Sequence, residues 1–241
     1  PVYGGGFARP FKTHHNAFDA DFYLRISDEM YLKRLIVGGI ERVYEITKVF
    51  RNEGVDHDHN PEFTMFEAQI AYQDYQYGMD IFEKIFEYAA THAIGTTSVM
   101  HGDVEIKLQT PWFRMSLVQA VKKIGGIDVL KWKTLSNAKD ELRPHLKDKK
   151  KQSDLAQLGT LGEVIAFAFE ELVEEKLIQP TIIYDYPVEV CPLAKKKASD
   201  PRFAERFEAF ALGSELGNNY SELNDPEDLE KRFIEEKNKE D

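Results

Sequence analysis

The sequence contains very little cysteine and no long apolar run. Cys191 is the one cysteine among 241 residues, so no disulfide can form within the chain, which fits a reducing compartment. No stretch approaches the roughly 20 apolar residues of a membrane span, and residues 1–11 lack the apolar centre of a signal peptide. We therefore expect a cytoplasmic protein without a membrane partner.

Positive charge is also in short supply. The chain has 31 Lys and Arg against 42 Asp and Glu, a net charge of −11. This argues against binding nucleic acid through overall charge, although a local basic patch stays open. Hydrophobic residues make up 42% of the chain, enough for a sizeable core. Since the length fits one large domain or a domain with an insertion, a globular enzyme or binding domain is expected.

The first third of the chain predicts one helix and two strands. Ser27 is a suitable cap for a helix that ends at Gly38-Gly39. Residues 43–51 and 62–72 are rich in β-branched and aromatic side chains and predict strands. We expect these strands to form an antiparallel pair joined by the charged loop 52–61.

The middle of the chain is more helical. Residues 80–94 have helical spacing, and residues 99–108 predict a small hairpin. Ser116 and Thr160 fit the capping-box pattern at helix starts. The lysine-rich stretch 147–151 predicts a solvated loop, with a nucleic-acid patch as the minority alternative.

The last third returns to strands before a final helix. Residues 181–186, 207–212 and 216–223 predict strands, and Asp225-Pro226 predicts a helix start. Strands of mixed spacing with helices between them indicate an α+β domain around a mostly antiparallel sheet.

The loop that begins at Arg51 has the side chains of a nucleotide site. Arg51 can grip a carboxylate or phosphate, Glu53 and His59 can form hydrogen bonds, and Phe63 can stack on a purine. A plain solvated hairpin loop fits the same composition. His57-Asp58-His59 also admits a metal site, although no further Cys/His set stands at zinc spacing.

Several glutamates stand where a carboxylate needs a partner. The predicted turn around Gly213-Ser214 would bring Glu208 and Glu215 together, and two carboxylates with substrate phosphates are typical Mg²⁺ ligands; isolated surface glutamates are the alternative. Glu67 stands in a strand rich in Phe and Met, and Glu222 follows closely after Tyr220. Few cations are near them in sequence, so a cationic ligand would satisfy both.

These residues also carry a family resemblance. Phe50-Arg51-Asn52-Glu53-Gly54, His59-Asn60-Pro61-Glu62-Phe63-Thr64 and Glu67 resemble motif 2 of the class II aminoacyl-tRNA synthetases, in the form used by the lysyl-tRNA synthetases. Further segments resemble that family in the same order: Arg9-Pro10-Phe11, His14-His15-Asn16, Tyr23-Leu24-Arg25, Val37-Gly38-Gly39, Pro187, Pro192-Leu193-Ala194 and Glu222-Leu223-Asn224-Asp225. The resemblance covers nearly the whole chain and is weakest at about residues 131–157.

The resemblance implies a fold and a reaction. The family has an antiparallel sheet flanked by helices, in a homodimer. Its members activate L-lysine with ATP and Mg²⁺ to lysyl-adenylate, release pyrophosphate, and transfer the lysyl group to the 3′ end of tRNA(Lys) for protein synthesis.

The resemblance also implies residue roles. Arg51 is the expected catalytic residue, bridging the lysine carboxylate and the α-phosphate. The expected ATP contacts are Arg51, Glu53, His59, Asn60 and Phe63, with Glu208 and Glu215 as Mg²⁺ ligands that reach the ATP phosphates. The expected lysine contacts are Gly5 and Glu29 for the α-amino group, and Glu67, Gln69, Asn218, Tyr220 and Glu222 around the side chain. Gln69 departs from the family, which usually has Tyr there, and implies a larger pocket.

The resemblance further implies that the chain is part of a longer protein. Residues 1–241 match a partial catalytic domain, incomplete at both ends, with a more helical insertion at about residues 77–178. Motif 1 and the anticodon-binding OB domain would precede Pro1 and motif 3 would follow Asp241, so the isolated chain is expected to be weak or inactive. A paralogue that transfers lysyl to a protein lysine and a non-catalytic scaffold are the alternative hypotheses.

Overall fold

The computed structural model describes residues 8–55 and 59–240, with side chains described up to Ile234. The chain divides into two compact units, Pro1–Gln73 and Asp74–Asp241. We refer to them as unit 1 and unit 2, and each is described by itself.

The described part of unit 1 contains two antiparallel strand pairs and one helix. Its elements are β1 (Lys12–His15), β2 (Ala20–Tyr23), α1 (Glu29–Val37), β3 (Arg42–Phe50) and β4 (Glu62–Ile70). Strand β1 pairs with β2, and β3 pairs with β4 from Arg42 opposite Ile70 to Phe50 opposite Glu62. The predicted antiparallel pair is confirmed.

Helix α1 begins and ends close to the predicted residues. Asp28 stands at the N-cap without a side-chain capping bond. Ser27 satisfies the first turn instead, because its Oγ accepts from the Glu29 N–H at 3.1 Å. The helix ends at Gly38, as its sequence predicts.

Unit 2 contains six helices and six strands among its described residues. The elements are α2 (Tyr75–Ile94), β5 (Ser98–His101), β6 (Val104–Lys107), β7 (Phe113–Ser116), α3 (Leu117–Ala120), α4 (Leu135–Leu142), α5 (Lys149–Gln157), α6 (Leu161–Leu172), β8 (Thr181–Pro187), β9 (Phe203–Ala211), β10 (Ser214–Tyr220) and α7 (Pro226–Glu240). A π-helical turn, Val121–Gly125, continues α3, and short 3₁₀ turns lie between other elements. Strands β5 and β6 form the predicted hairpin.

A four-stranded sheet in the order β10-β9-β8-β7 forms the centre of unit 2. Strands β10, β9 and β8 are antiparallel, and β7 pairs with β8 in parallel. The α+β architecture with a mostly antiparallel sheet is therefore confirmed.

Both faces of this sheet are covered. Ile182 and Ile183 are fully buried neighbours on β8 and point to opposite faces, as in any strand. Ile182 packs in a cluster with Tyr75 and Met79 of α2, whereas Ile183 packs in the larger cluster with Phe169 of α6. This double burial explains why β8 is apolar without alternation.

Capping side chains set several helix starts. Thr160 and Glu163 form the predicted capping box at α6, and Asp225 accepts N–H bonds at the start of α7. Ser116 caps only the four residues of α3. Helix α2 starts five residues before the predicted position because Asp74 accepts from the N–H groups of the next turn.

One secondary-structure prediction was wrong. The lysine-rich stretch 147–151 is not a loop, because helix α5 begins at Lys149 and is capped by Asp148, whose Oδ1 accepts from Lys150 N–H at 2.8 Å. Leu155 is fully buried and anchors this helix to the core. Lys151 forms a 2.5 Å ion pair with Glu171, so part of the positive charge is neutralised within the fold.

The last strands also differ from their predicted bounds. Strand β9 begins four residues earlier, at Phe203, and β10 ends at Tyr220. The turn between them is Leu212-Gly213, and both residues have positive φ, 58° and 75°, as type I′ hairpin turns require.

Within the described residues, every helix is too short or too polar to cross a lipid bilayer.

We predict that Gly213→Ala destabilises unit 2 more than Gly95→Ala does. Both glycines have φ near +75°, but an added Cβ at Gly213 would lie 3.1 Å from the Glu175 backbone, whereas Gly95 faces open space. The φ penalty of about 1 kcal/mol is common to both, and we expect about 1 kcal/mol more at Gly213 from the crowded contact. Urea unfolding followed by fluorescence of Trp112 and Trp132 measures the difference; equal losses would contradict the docked turn.

Candidate active site

Arg51 lies at the end of β3 and is held by its surroundings. Its Nε donates to the Ile26 carbonyl at 3.3 Å, and its guanidinium lies over the Phe63 ring, 5.3 Å from the centroid. Its backbone N–H donates to the Pro61 carbonyl at 2.9 Å. The cation thus lies over one face of the aromatic ring. A cation suits a phosphate, and an aromatic ring suits a planar base.

The remaining residues of the predicted nucleotide loop surround Arg51 in sequence. Glu53 and His59 are exposed, and the Asn60 amide donates to the Glu62 carbonyl at 2.6 Å. Gly5, His57 and Asp58 lie outside the described residues, so the predictions for Gly5 and for the His-Asp-His metal site stay untested.

Glu67 is anchored at the start of α1. Its Oε2 accepts from Ser27 Oγ at 3.2 Å and from the Asp28 N–H at 3.0 Å. Burial raises the pKa of the Glu67 carboxyl, the negative charge of Glu29 adds to the rise, and the two hydrogen bonds oppose it. Fixed neutral donors therefore hold this carboxylate, and the sequence did not reveal them.

Glu29 is brought close to Glu67. The Ser27 hydroxyl bonds to Glu67 and also accepts from the Glu29 N–H, so one side chain links the two acids. The Glu29 carboxylate accepts from Lys33 Nζ at 2.6 Å, one helical turn along α1. This carboxylate therefore stands in a place that already accepts an ammonium group.

A charged network supports the start of α1 from behind. Arg25 donates to Asp28 Oδ1 at 2.8 Å and to Glu45 Oε1 at 2.6 Å. Asp28 is fully buried, and its Oδ2 has no hydrogen-bond partner among the described residues. Burial raises the pKa of Asp28, while Arg25 opposes the rise.

Gln69 lies two residues after Glu67 on the same half-buried face of β4.

The second group of predicted residues lies in unit 2. Glu208 is buried on β9, with one carboxylate oxygen bonded to Arg206 and the other accepting from the Tyr186 hydroxyl at 2.8 Å. Burial raises the pKa of Glu208 to about 7; Arg206 opposes this, while the charges of Glu215 and Glu174 add to it. Sequence analysis missed Arg206, although it stands two residues before Glu208 and so on the same face of the strand.

Asn218 connects Glu208 with Glu215. It stands opposite Glu208 in the register of β9 and β10, and its Nδ2 donates to Glu215 Oε1 at 2.9 Å. The two glutamates are not direct cross-strand partners, because Glu215 faces Phe210 and a bulge follows it. The two carboxylates still interact electrostatically, since the charge of Glu215 adds to the rise in the pKa of Glu208.

Tyr220 and Glu222 follow at the end of β10. Tyr220 stands opposite Arg206 and packs against the main core. Glu222 forms an isolated antiparallel bridge with Ala194. Residues 193–195 and 221–223 therefore run side by side next to the sheet.

The Glu208 and Glu215 pair fits a magnesium ion by the chemistry of its donors. Carboxylate oxygens are preferred Mg²⁺ ligands, and one or two of them with substrate phosphates complete a usual site. In the part of the chain that the structure describes, no set of three or more His, Cys, Asp or Glu side chains is arranged to hold a metal. Burial is the main cause of the raised pKa of Glu208, and the charges of Glu215 and Glu174 add to it; a divalent cation would offset that added negative charge.

The chain matches a known protein family. The family model for tRNA synthetases class II (D, K and N) matches residues 1–241. The chain belongs to this family. The class II fold expected from the motif 2 resemblance is thereby confirmed.

Individual members of the class II family are similar over nearly the whole chain. The lysine–tRNA ligase of a Thermoanaerobacter species is 50% identical over 236 residues, which cover 98% of this chain and 46% of that protein. The proteins of the same name from Clostridium tetani and Bacillus subtilis are 49% and 47% identical, over 98% and 95% of this chain and 46% and 45% of their own lengths. The chain thus spans about half the length of the curated relatives it matches.

We predict that Glu174→Gln stabilises unit 2 at pH 8 and has little effect at pH 5. Burial and then Glu170, Glu215, Glu175 and Glu171 raise the pKa of Glu174 to about 7. A raised carboxyl pKa means that the folded state holds the proton more tightly, so stability falls as pH rises from about 4.5 through 7.

Glutamine removes that loss. We expect a melting temperature higher by about 2–4 °C at pH 8, the shift that about 1 kcal/mol gives in a domain of this size after allowance for solvent screening. Glu141→Gln, at an exposed position on α4 outside this group of acids, is the control. A gain that is equal at both pH values would contradict the crowded-acid account.

Proposed function

We propose that the protein is a lysine–tRNA ligase. It activates L-lysine with ATP to lysyl-adenylate, releases pyrophosphate, and transfers the lysyl group to the 3′ end of tRNA(Lys). The names of its curated relatives support this proposal. So does one observation in unit 1, the common support of Arg51, Glu29 and Glu67.

Residues 26–28 bond to the Arg51 and Glu67 side chains and to the backbone of Glu29. Arg51 bonds to the Ile26 carbonyl, Glu67 to Ser27 and the Asp28 N–H, and the Glu29 backbone to Ser27. One short segment thus sets the spacing of one guanidinium and two carboxylates. Lysine has the complementary groups, one carboxylate and two ammoniums, so this arrangement favours a diamino acid over one with a neutral side chain.

The proposed roles follow from charge. Arg51 binds the lysine carboxylate and the α-phosphate and stabilises the negative charge that develops as one attacks the other. Glu29 binds the α-ammonium, and Glu67 with Gln69 binds the side-chain ammonium. The family resemblance assigns Asn218, Tyr220 and Glu222 to the lysine side chain as well. Gly5 completes the α-amino site. No general base is required, because the lysine carboxylate is already ionised at neutral pH.

The nucleotide roles are proposed on the same grounds. Glu53, His59 and Asn60 contact ATP, and Phe63 stacks on adenine on the ring face that Arg51 leaves open. Glu208 and Glu215 hold Mg²⁺, which neutralises phosphate charge when bound. Positioning and electrostatics therefore carry the reaction.

The wider setting belongs to the same proposal. Resemblance to the lysyl-tRNA synthetases supports a homodimer in the cytoplasm, and a catalytic domain of which residues 1–241 are part, with a more helical insertion at about residues 77–178. Helices α3 to α6 lie within that range of residues, and α2 begins two residues before it, at Tyr75.

The test is amino-acid-dependent exchange of pyrophosphate into ATP by the protein that contains this chain. We expect L-lysine to drive exchange at least 100-fold faster than arginine or norleucine, because either the shape or the charge at Glu67 is wrong for them. Arg51→Ala should abolish exchange, and Arg42→Ala, an exposed arginine at the far end of β3, serves as the matched control.

Acceptor preference then separates the two kinds of lysyl transfer. With lysyl-adenylate formed, tRNA(Lys) should accept the lysyl group and a translation-factor lysine should not. Exchange driven by another amino acid, or transfer to protein alone, would contradict the proposal.

A further inference from the structure

The buried arginine of α7 lies outside the set of residues that the family resemblance assigns. Arg232 is 7% exposed, and its Nη1 donates to the carbonyls of Cys191 at 2.8 Å and Ala194 at 2.9 Å, with Pro192 at 3.4 Å. Asp228, one turn earlier on α7, holds the other side of the guanidinium at 3.0 Å from Nη2 and 3.4 Å from Nε. A planar fork is thus fixed in place and gathers three carbonyls of one short segment.

That segment supports the strand that carries Glu222. Ala194 forms the antiparallel bridge with Glu222. On either side of the bridge, Lys195 N–H donates to the Ser221 carbonyl at 2.8 Å and Leu223 N–H to the Leu193 carbonyl at 3.0 Å. The position of residues 221–223 therefore depends on the position of residues 191–195.

Residues 221–223 have one more anchor on their other side. Ser221 N–H donates to the Glu205 carbonyl at 2.8 Å, and Ser221 Oγ accepts from the Tyr75 N–H at 2.9 Å. The strand is therefore fixed to the sheet and to the start of α2 on one side. On the other side its contact is the loop at residues 191–195. That loop is held by Arg232 at Cys191 and Ala194 and by β9 at Lys195, whose carbonyl accepts from the Glu205 N–H at 2.8 Å, so this arginine is one of the two groups that fix the second support.

We propose that Arg232 is a positioning residue for the amino-acid pocket: it sets the place of Glu222 through the carbonyls of residues 191–194 and the Ala194–Glu222 bridge. This inference rests on the proposed function for the identity of the ligand, L-lysine, but not for the mechanical link itself. Loss of the fork frees the carbonyl segment, and Glu222 loses its fixed distance to the ligand ammonium while the ATP contacts stay in place.

The experiment uses Arg232→Ala and Arg232→Lys in the protein that contains this chain, with Lys231→Ala as the control at the exposed neighbouring position. Hydrogen exchange is measured at the Lys195 and Leu223 amides, and the KM for lysine, the KM for ATP and kcat are measured by pyrophosphate exchange. In Arg232→Ala we expect both amides to exchange about tenfold faster and the KM for lysine to rise about tenfold, with the KM for ATP and kcat within about twofold. Arg232→Lys should be intermediate, since an ammonium cannot reproduce the fork.

Three outcomes would overturn the proposal. They are unchanged hydrogen exchange at the two amides of Arg232→Ala, an unchanged KM for lysine, or changes of equal size in the KM for lysine, the KM for ATP and kcat, which indicate a merely structural role. If Arg232→Ala does not fold, the same criteria apply to Arg232→Lys. If the unmodified protein shows no lysine-dependent pyrophosphate exchange, the proposed function fails. The hydrogen-exchange rates of the Lys195 and Leu223 amides then decide alone whether Arg232 positions the strand.

Discussion

Removal of glutamate carboxylates from water is the constraint on which the arrangement of both units depends. An ionised carboxylate in a half-buried place is costly unless fixed donors replace its hydration. Unit 1 meets this constraint at Glu67 with neutral donors, the Ser27 hydroxyl and the Asp28 N–H. Unit 2 meets it at Glu208 with a cation and a phenol, Arg206 and Tyr186.

The two solutions leave different amounts of charge. Around Glu67 the donors orient the carboxylate without cancelling its charge. Around Glu208, one arginine faces several acids, and the pKa of both Glu208 and Glu174 stays near 7. Negative charge in this place would suit a divalent cation, which in the proposed function is Mg²⁺ carrying the nucleotide phosphates. The overall charge of −11 thus includes acids that the fold holds close together.

The sheet of unit 2 gives these acids their rigidity. Strand β8 is buried on both faces, so β9 and β10 are built on an element that cannot shift without disturbing two clusters. The tight turn at Leu212-Gly213 and the bulge after Glu215 together set the register that places Asn218 opposite Glu208. The Arg232 fork extends the same ordering beyond the end of β10.

Sequence patterns predicted the parts of the fold that depend on local chemistry. The β3–β4 pair, the β5–β6 hairpin, the Thr160 capping box and the Pro226 helix start follow from period, turn residues and caps. The lysines of the stretch 147–151 favour a loop by composition. The helix there depends on burial of Leu155 in the core, a tertiary contact that the local sequence does not indicate. Likewise Ser27 and Asp28 bond to the carboxylate of Glu67, and Arg232 bonds to the carbonyls of Cys191 and Ala194. These partners are distant in sequence, and no local pattern indicates such contacts. The site residues came from family resemblance rather than from spacing alone.

The central claim is that anchored carboxylates select a ligand with a second ammonium. Calorimetric titration of the protein that contains this chain with L-lysine and with norleucine, which has the same chain length but no side-chain ammonium, tests it most directly. We expect lysine to bind at least 100-fold more tightly, about 2.7 kcal/mol, and Glu67→Gln to remove most of that preference, while Glu62→Gln on the exposed face of β4 leaves it unchanged. Equal affinity for the two amino acids, or a preference that survives in Glu67→Gln, would contradict the account.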